Sequence, residues 1–258
     1  MQEKLMTLYN YKNLLWEFIK KDIKLKYRNS ILGVLWSMLN PLLIMLVLTF
    51  LFSNIFKNAI PNFPVYCLSG RLIYDYFSQA TNQCMNSITS KSSLIKKIYV
   101  PKFLYPLSKA ISTFIIFLIS IIPLIGIMIV THVKIGWIIL LTFYPLICLL
   151  IISFGIGLIL ATINVFFRDI QHLYSIVLMI IMYASAIFYS IDIINPKYAI
   201  ILNLNPIFPV IKVFRDCILY GRITAYNSWW LSLVYSIISI ICGTIIFCKK
   251  QDKFVFHI

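Results

Sequence analysis

Residues 14–52 read LLWEFIKKDIKLKYRNSILGVLWSMLNPLLIMLVLTFLF, and the two halves of this stretch follow different rules. In the first half Leu15, Ile19 and Ile23 recur at four-residue steps beside Trp16 and Tyr27, while Lys20, Lys24 and Arg28 form a parallel charged row. That spacing predicts an amphipathic helix, with Glu17 four residues before Lys21 in the favourable order for an ion pair. Such a helix lies in a bilayer interface, apolar side in lipid and lysines toward anionic head groups. The chain then turns at Asn29-Ser30, and the second half is long and apolar enough to cross a membrane. Trp16, Lys20, Lys24 and Arg28 are the residues expected to hold membrane lipids.

The remainder of the 258 residues extends this pattern: 61% are hydrophobic and only 12% charged. Soluble domains are about 45–50% apolar, so this is the composition of a membrane protein. The net charge of +15 raises the question of nucleic acid. Most Lys and Arg flank apolar runs, however, where the positive-inside rule puts them, so no nucleic-acid partner is expected. Six cysteines show neither a C-x-x-C pair nor ligand-like clustering, and read as small buried hydrophobes. The first apolar run starts near residue 31, late and long for a cleavable signal, so it is expected to stay as a span.

Six spans are predicted, at about 31–53, 64–88, 108–130, 136–162, 171–191 and 229–248, after a cytoplasmic interface helix within residues 1–30. The second carries Arg71, Asp75 and many amides, so it should face protein or a wet path. Arg71 and Asp75, four apart, can pair on one helix face. The alternative is an external amphipathic segment and only five spans. Sixteen of the 23 Lys and Arg fall on one side, counting Lys109 at the head of the third span with its loop, against six on the other. Both termini are therefore expected in the cytoplasm.

Two connections are more than loops. In segment 90–107, Ser92 or Ser93 is a candidate cap for a short helix LIKKIY stopped before Pro101. The external segment 192–228 holds apolar runs YAIILNL and IFPVIKVF broken by Pro196, Pro206 and Pro209, too short to span and too apolar for water. Two short helices that dip into the outer leaflet and return satisfy both constraints where protein covers the freed backbone.

Catalytic chemistry is sparse. None of the eight glycines precedes a lysine, so no phosphate-binding G-x-x-x-x-G-K-[ST] loop exists and ATP hydrolysis is not expected here. Three histidines lie far apart near span ends, and neither a metal nor a catalytic site is expected from them. Ser153, Gly155, Gly157 and Ala161 give the fourth span a small-residue face for close helix packing. Aromatics cluster within spans two and five, and buried tyrosine hydroxyls need partners. Tyr74, Phe77, Tyr183, Phe188 and Tyr189 are candidates for a wet or sugar-lined path.

Four stretches resemble the permease subunit of bacterial polysaccharide-export ABC transporters, which handle O-antigen, capsule and teichoic acid polymers. They are Tyr27-Arg28-x-Ser30-x-Leu32-Gly33-x-Leu35-Trp36 with Pro41; Leu94-Ile95-Lys96-Lys97-Ile98-Tyr99-Val100-Pro101 with Leu104 and Pro106-Leu107; Phe167-Arg168-Asp169-Ile170, continuing to Ile187-Phe188-Tyr189; and Asn205-Pro206. Two departures stand out: Ala186, where the family commonly has proline, and Arg71, where it usually has an apolar residue. The resemblance implies an all-α homodimer of six-span subunits exporting a lipid-linked polymer, with two copies of a separate ATPase that binds ATP and Mg. This chain would carry no cofactor. It also implies that Leu94, Ile95, Lys96, Lys97, Ile98 and Tyr99 form a coupling helix docked on the ATPase. Asn205, Pro206, Lys212 and Arg215 would belong to external gate helices. The lysine row of the interface helix would hold lipid phosphates or guide the polymer's lipid head. A permease for drugs or small lipids, a channel or secondary transporter without an ATPase, and a membrane-embedded transferase are the rival readings.

Overall fold

The computed structural model describes residues 11–56, 60, 62–98, 100–134, 136–190, 202–223 and 226–257, the side chains of 52–56 excepted. Every regular element among the described residues is helical. In order they are α1 (Lys12–Tyr27), α2 (Leu35–Phe56), α3 (Phe63–Asn86), α4 (Ser92–Lys97), α5 (Leu104–Val130), α6 (Phe143–Phe166), α7 (Ile170–Tyr183), α8 (Ile207–Arg215), α9 (Tyr226–Lys250) and α10 (Phe254–His257). A 3₁₀ segment, Trp137–Thr142, leads into α6, and a wide π turn, Asp216–Tyr220, follows α8. By length and composition α5, Trp137–Phe166 and Tyr226–His257 can each cross a bilayer, while Leu35–Leu51 and α7 are shorter apolar helices.

Helix α3 is the least apolar of the long helices and lies at the centre. Val65, Leu68, Leu72, Ile73, Phe77, Ala80 and Cys84 are buried along it, enclosed by α2, α5, α6 and α8. Its Ser69 and Thr81 are buried within protein and its Arg71 and Asp75 half-buried, in keeping with the cost of placing polar groups in lipid. Its Arg71 and Asp75 pair as expected, Nε to carboxylate 2.9 Å apart and half-buried. Helices α6 and α9 pack with backbones almost touching, because Gly155 and Gly243 carry no side chain. A Cβ on Gly155 would strike the Ser239 backbone, and one on Gly243 would strike Gly155 itself. Pro41 within α2 lacks the amide hydrogen that would have bonded the Ser37 carbonyl. The Ser120 hydroxyl of α5 donates to that carbonyl instead, at 2.9 Å.

Three expectations change. Helix α1 packs on α5: Ile19 is buried, Phe18 stacks on Tyr105, and Asp22 pairs with Lys109 at 2.8 Å. The apolar row of α1 thus meets protein, because a cation and an aromatic ring on α5 match that side of the helix. Glu17 pairs with Lys20 at 2.9 Å, one position nearer than Lys21. The third change is in the predicted span 171–191, whose helix stops at Tyr183. Ala186 adopts the left-handed conformation at φ 49°, which a proline ring forbids.

Candidate functional site

The coupling segment begins where α3 ends. Helix α4 forms over Ser92–Lys97, and its first residues lack a side-chain cap, so neither Ser92 nor Ser93 makes the bond expected of it. Ile98 leaves the helix in extended conformation, φ −133° and ψ 134°. That exit separates the two isoleucines. Ile95 turns inward to a cluster with Ile88, Tyr105, Leu158, Phe247 and Phe254, and half-buried Leu94 packs against the same cluster. Ile98 is 54% exposed beside exposed Lys96 and Lys97. Of the expected docking residues, then, Lys96, Lys97 and Ile98 face outward, Ile95 serves the chain's own core, and Tyr99 lies outside the described residues.

Helix α1 presents Lys20, Lys24 and Arg28 along one shallow groove with Glu17, Lys21 and Leu25. Trp16 stands at its end, with the Lys20 ammonium 5.7 Å from the ring centre. At the other end Lys26 donates to Gln79 of α3 at 2.9 Å, and burial holds its amine below the ordinary lysine range. Both residues line a cavity of about 260 Å³ between α1, α2, α3 and α5, whose polar wall includes Asn40, Asp75, Gln79 and Ser120. Sequence reasoning missed the cavity. Its one visible trace is the run of amides and hydroxyls in α3.

A polar seam joins α3 to α7. The Tyr74 hydroxyl donates to the Leu178 carbonyl at 3.0 Å, Tyr174 donates to Thr81 at 2.7 Å, and an Arg71 guanidinium nitrogen reaches the Met182 sulfur at 3.4 Å. Positions 174, 178 and 182 fall on one face of α7. The other face, with Leu173, Ile176, Ile180 and Tyr183, is exposed. Of the path candidates, Tyr74 and Phe77 are buried inside the chain, Phe77 completely. Tyr183, Phe188 and Tyr189 gather at the far end of α7: the Tyr183 and Phe188 rings lie 6.4 Å apart, and the Tyr189 hydroxyl donates to the Tyr183 carbonyl at 2.6 Å.

At that end α8 lies almost wholly buried against α3, α6 and α9. Of the two external helices expected, this is the second. The first, beginning in YAIILNL, falls largely on residues outside those described. Asn205 donates to the Ile181 carbonyl and the Ser185 hydroxyl, at 3.1 and 2.8 Å, and accepts from the Ile207 amide at 3.1 Å. Pro206 stands just before the first turn of α8, and Lys212 is half-buried. Arg215, counted from the sequence among the external charges, is 3% exposed. Its guanidinium stacks 3.4 Å over the Tyr66 ring and donates to the carbonyls of Ala186 (2.9 Å), Tyr66 (3.0 Å) and Ile187 (3.3 Å). The Tyr66 hydroxyl donates to the carbonyls of Ala186 and Tyr189, at 3.1 and 2.8 Å. Gly70 leaves room for this clamp, since a Cβ there would stand 2.5 Å from the Arg215 nitrogen. Carbonyls at the broken end of α7 thereby find side-chain donors from α3 and α8. The sequence shows Arg215 as a loop charge, and Tyr66, 149 positions earlier, carries no signal of the pairing.

A central polar helix is thus packed among helices long and apolar enough to cross a membrane, the class of fold that a multi-pass membrane domain has. Residues 13–219 match the ABC-2 type transporter family, and the chain belongs to it. It is 30% identical over 249 residues to an O-antigen export system permease protein RfbA of Klebsiella pneumoniae, covering 94% of this chain and 93% of that protein. A protein of the same description from Myxococcus xanthus is 30% identical over 255 residues, 96% of each. The polysialic acid transport protein KpsM of Escherichia coli is 24% identical over 238 residues, covering 90% of this chain and 91% of that protein. The chain is thus the permease subunit of an ABC transporter, a multi-pass protein of the inner membrane, working with an ATPase carried on another subunit.

Proposed function

We propose that this permease exports a lipid-linked polysaccharide or polyol-phosphate polymer, of the O-antigen, capsule or teichoic acid type, across the cytoplasmic membrane. The observation that carries this reading is the end-to-end match to O-antigen export permeases, which takes in the coupling segment and the buried external helix alike. In this reading α2, α3, α5, residues 137–166, α7 and α9 are six spans, with both termini in the cytoplasm. Two copies of the chain meet along a seam and bind two copies of the ATPase, where ATP and Mg reside.

The geometry supports a division of labour. Lys96, Lys97 and Ile98 offer the ATPase an apolar knob beside two cations, suited to a socket with an acidic rim. The groove of Lys20, Lys24 and Arg28 binds phosphates of the inner leaflet. The cavity lined by Asn40, Asp75 and Gln79 is a polar vestibule beside α3, and the hydroxyl contacts of the α3–α7 seam are ones a sugar polymer can replace. Tyr183, Phe188 and Tyr189 stack sugars near the exit, and the Arg215 clamp holds the external gate shut at rest. Deleting the gene tests the substrate class. Cells should lose the surface polymer and accumulate it inside, whereas a deletion strain with normal surface polymer would rule this reading out.

A further inference from the structure

Near the end of α6, in a helix otherwise without amides, Asn164 is completely buried. Its side-chain nitrogen lies 3.0 Å from the Met85 carbonyl and 3.3 Å from the Asn86 side-chain oxygen, at the end of α3. The same nitrogen lies 3.4 Å from the Thr89 hydroxyl, which opens the 3₁₀ turn Thr89–Lys91 leading from α3 into α4. Its oxygen accepts from Gln171, in the first turn of α7, at 3.1 Å. One side chain therefore touches α3, the turn into coupling helix α4, and α7. A primary amide carries two hydrogens, and here three acceptors surround them. Which two are served depends on where Thr89 stands, so a shift of the turn that leads into α4 rotates the amide whose oxygen accepts from Gln171 at the root of α7. The α7 seam to α3 starts from that root.

We infer that Asn164 is a positioning residue that relays movement of the coupling segment to α7, with Gln171 as its arm. The inference rests on the coupling role proposed for α4. The test reconstitutes the permease with its ATPase in liposomes and measures ATP hydrolysis together with translocation of the polymer that accumulates in the deletion strain. Asn164→Leu and Gln171→Leu are expected to keep hydrolysing ATP while polymer moved per ATP falls about tenfold, within the usual range of coupling between sites. Gln171 is exposed, so its replacement leaves the core intact and decides the matter if Asn164→Leu fails to fold. An unchanged ratio of polymer to ATP in Gln171→Leu overturns the relay, as does an equal fall of hydrolysis and transport. Ile98→Asp separates the two readings. If it leaves export intact, the coupling role of α4 fails. If it abolishes export while the ratio in Gln171→Leu stays normal, the relay alone fails.

Discussion

Arg215, at the end of α8, ties α3 to the broken end of α7 by donating to the carbonyls of Tyr66, Ala186 and Ile187. Hydrogen bonds to a charged group contribute about 1.5–3 kcal/mol each, and a buried carbonyl left bare costs about 1–3 kcal/mol. Arg215→Met, which keeps the bulk and removes the donors, should therefore destabilise the fold by roughly 3 kcal/mol or more. In a chain of this size that corresponds to a fall of about 6–12 °C in apparent melting temperature, read on the purified permease in nanodiscs. Arg222→Met is the control: that side chain is exposed, its guanidinium 5.0 Å from the Tyr220 ring, and its loss should shift the midpoint little. Equal midpoints for the two variants would mean the clamp does not hold the external segment. Little of this was legible beforehand. The pair Arg71 and Asp75 could be read from sequence because both lie on one helix, four residues apart. Arg215 and Tyr66 could not, since only the fold brings them together.

Among elements, the coupling helix shows how far periodicity reaches. A short helix before Pro101 was readable from composition, and α4 occupies its first part. The face of each isoleucine was not readable, because Ile98 leaves the helix and an extended residue obeys no helical spacing. Ile98→Asp places a charge on an exposed position, so the permease should still insert and fold but lose its ATPase on copurification, with export abolished. Ile95→Asp would instead bury a charge among Phe247, Phe254 and Tyr105, and would report on folding rather than docking. Retention of the ATPase by Ile98→Asp at wild-type stoichiometry would remove α4 from the contact. The helix of the expected fifth span ends at Tyr183 for a related reason: apolar residues run on past it, but the carbonyl of Ala186 is bonded from α3 and α8.

At the scale of the whole molecule, the arrangement is a polar central helix wrapped by apolar ones, tightened where α6 meets α9. The small-residue face of residues 153–161 announced close packing, though not its partner. Gly155→Val should prevent that approach, giving a permease that inserts yet aggregates on detergent extraction, seen as a void-volume peak in size-exclusion chromatography. Gly126→Val, with open space around it, should elute normally. Composition made the membrane class and most helices plain, since burying apolar surface in lipid leaves a signature in every span. The polar interior left only scattered amides and hydroxyls, whose meaning depends on which neighbours they meet. The central claim is ATP-driven export of a lipid-linked polymer, and inverted membrane vesicles test it most directly. Vesicles holding the permease and its ATPase, given labelled polymer from the deletion strain, should sequester it only when ATP is supplied and hydrolysed. Uptake that proceeds equally without ATP, or none with ATP hydrolysis intact, would contradict the account.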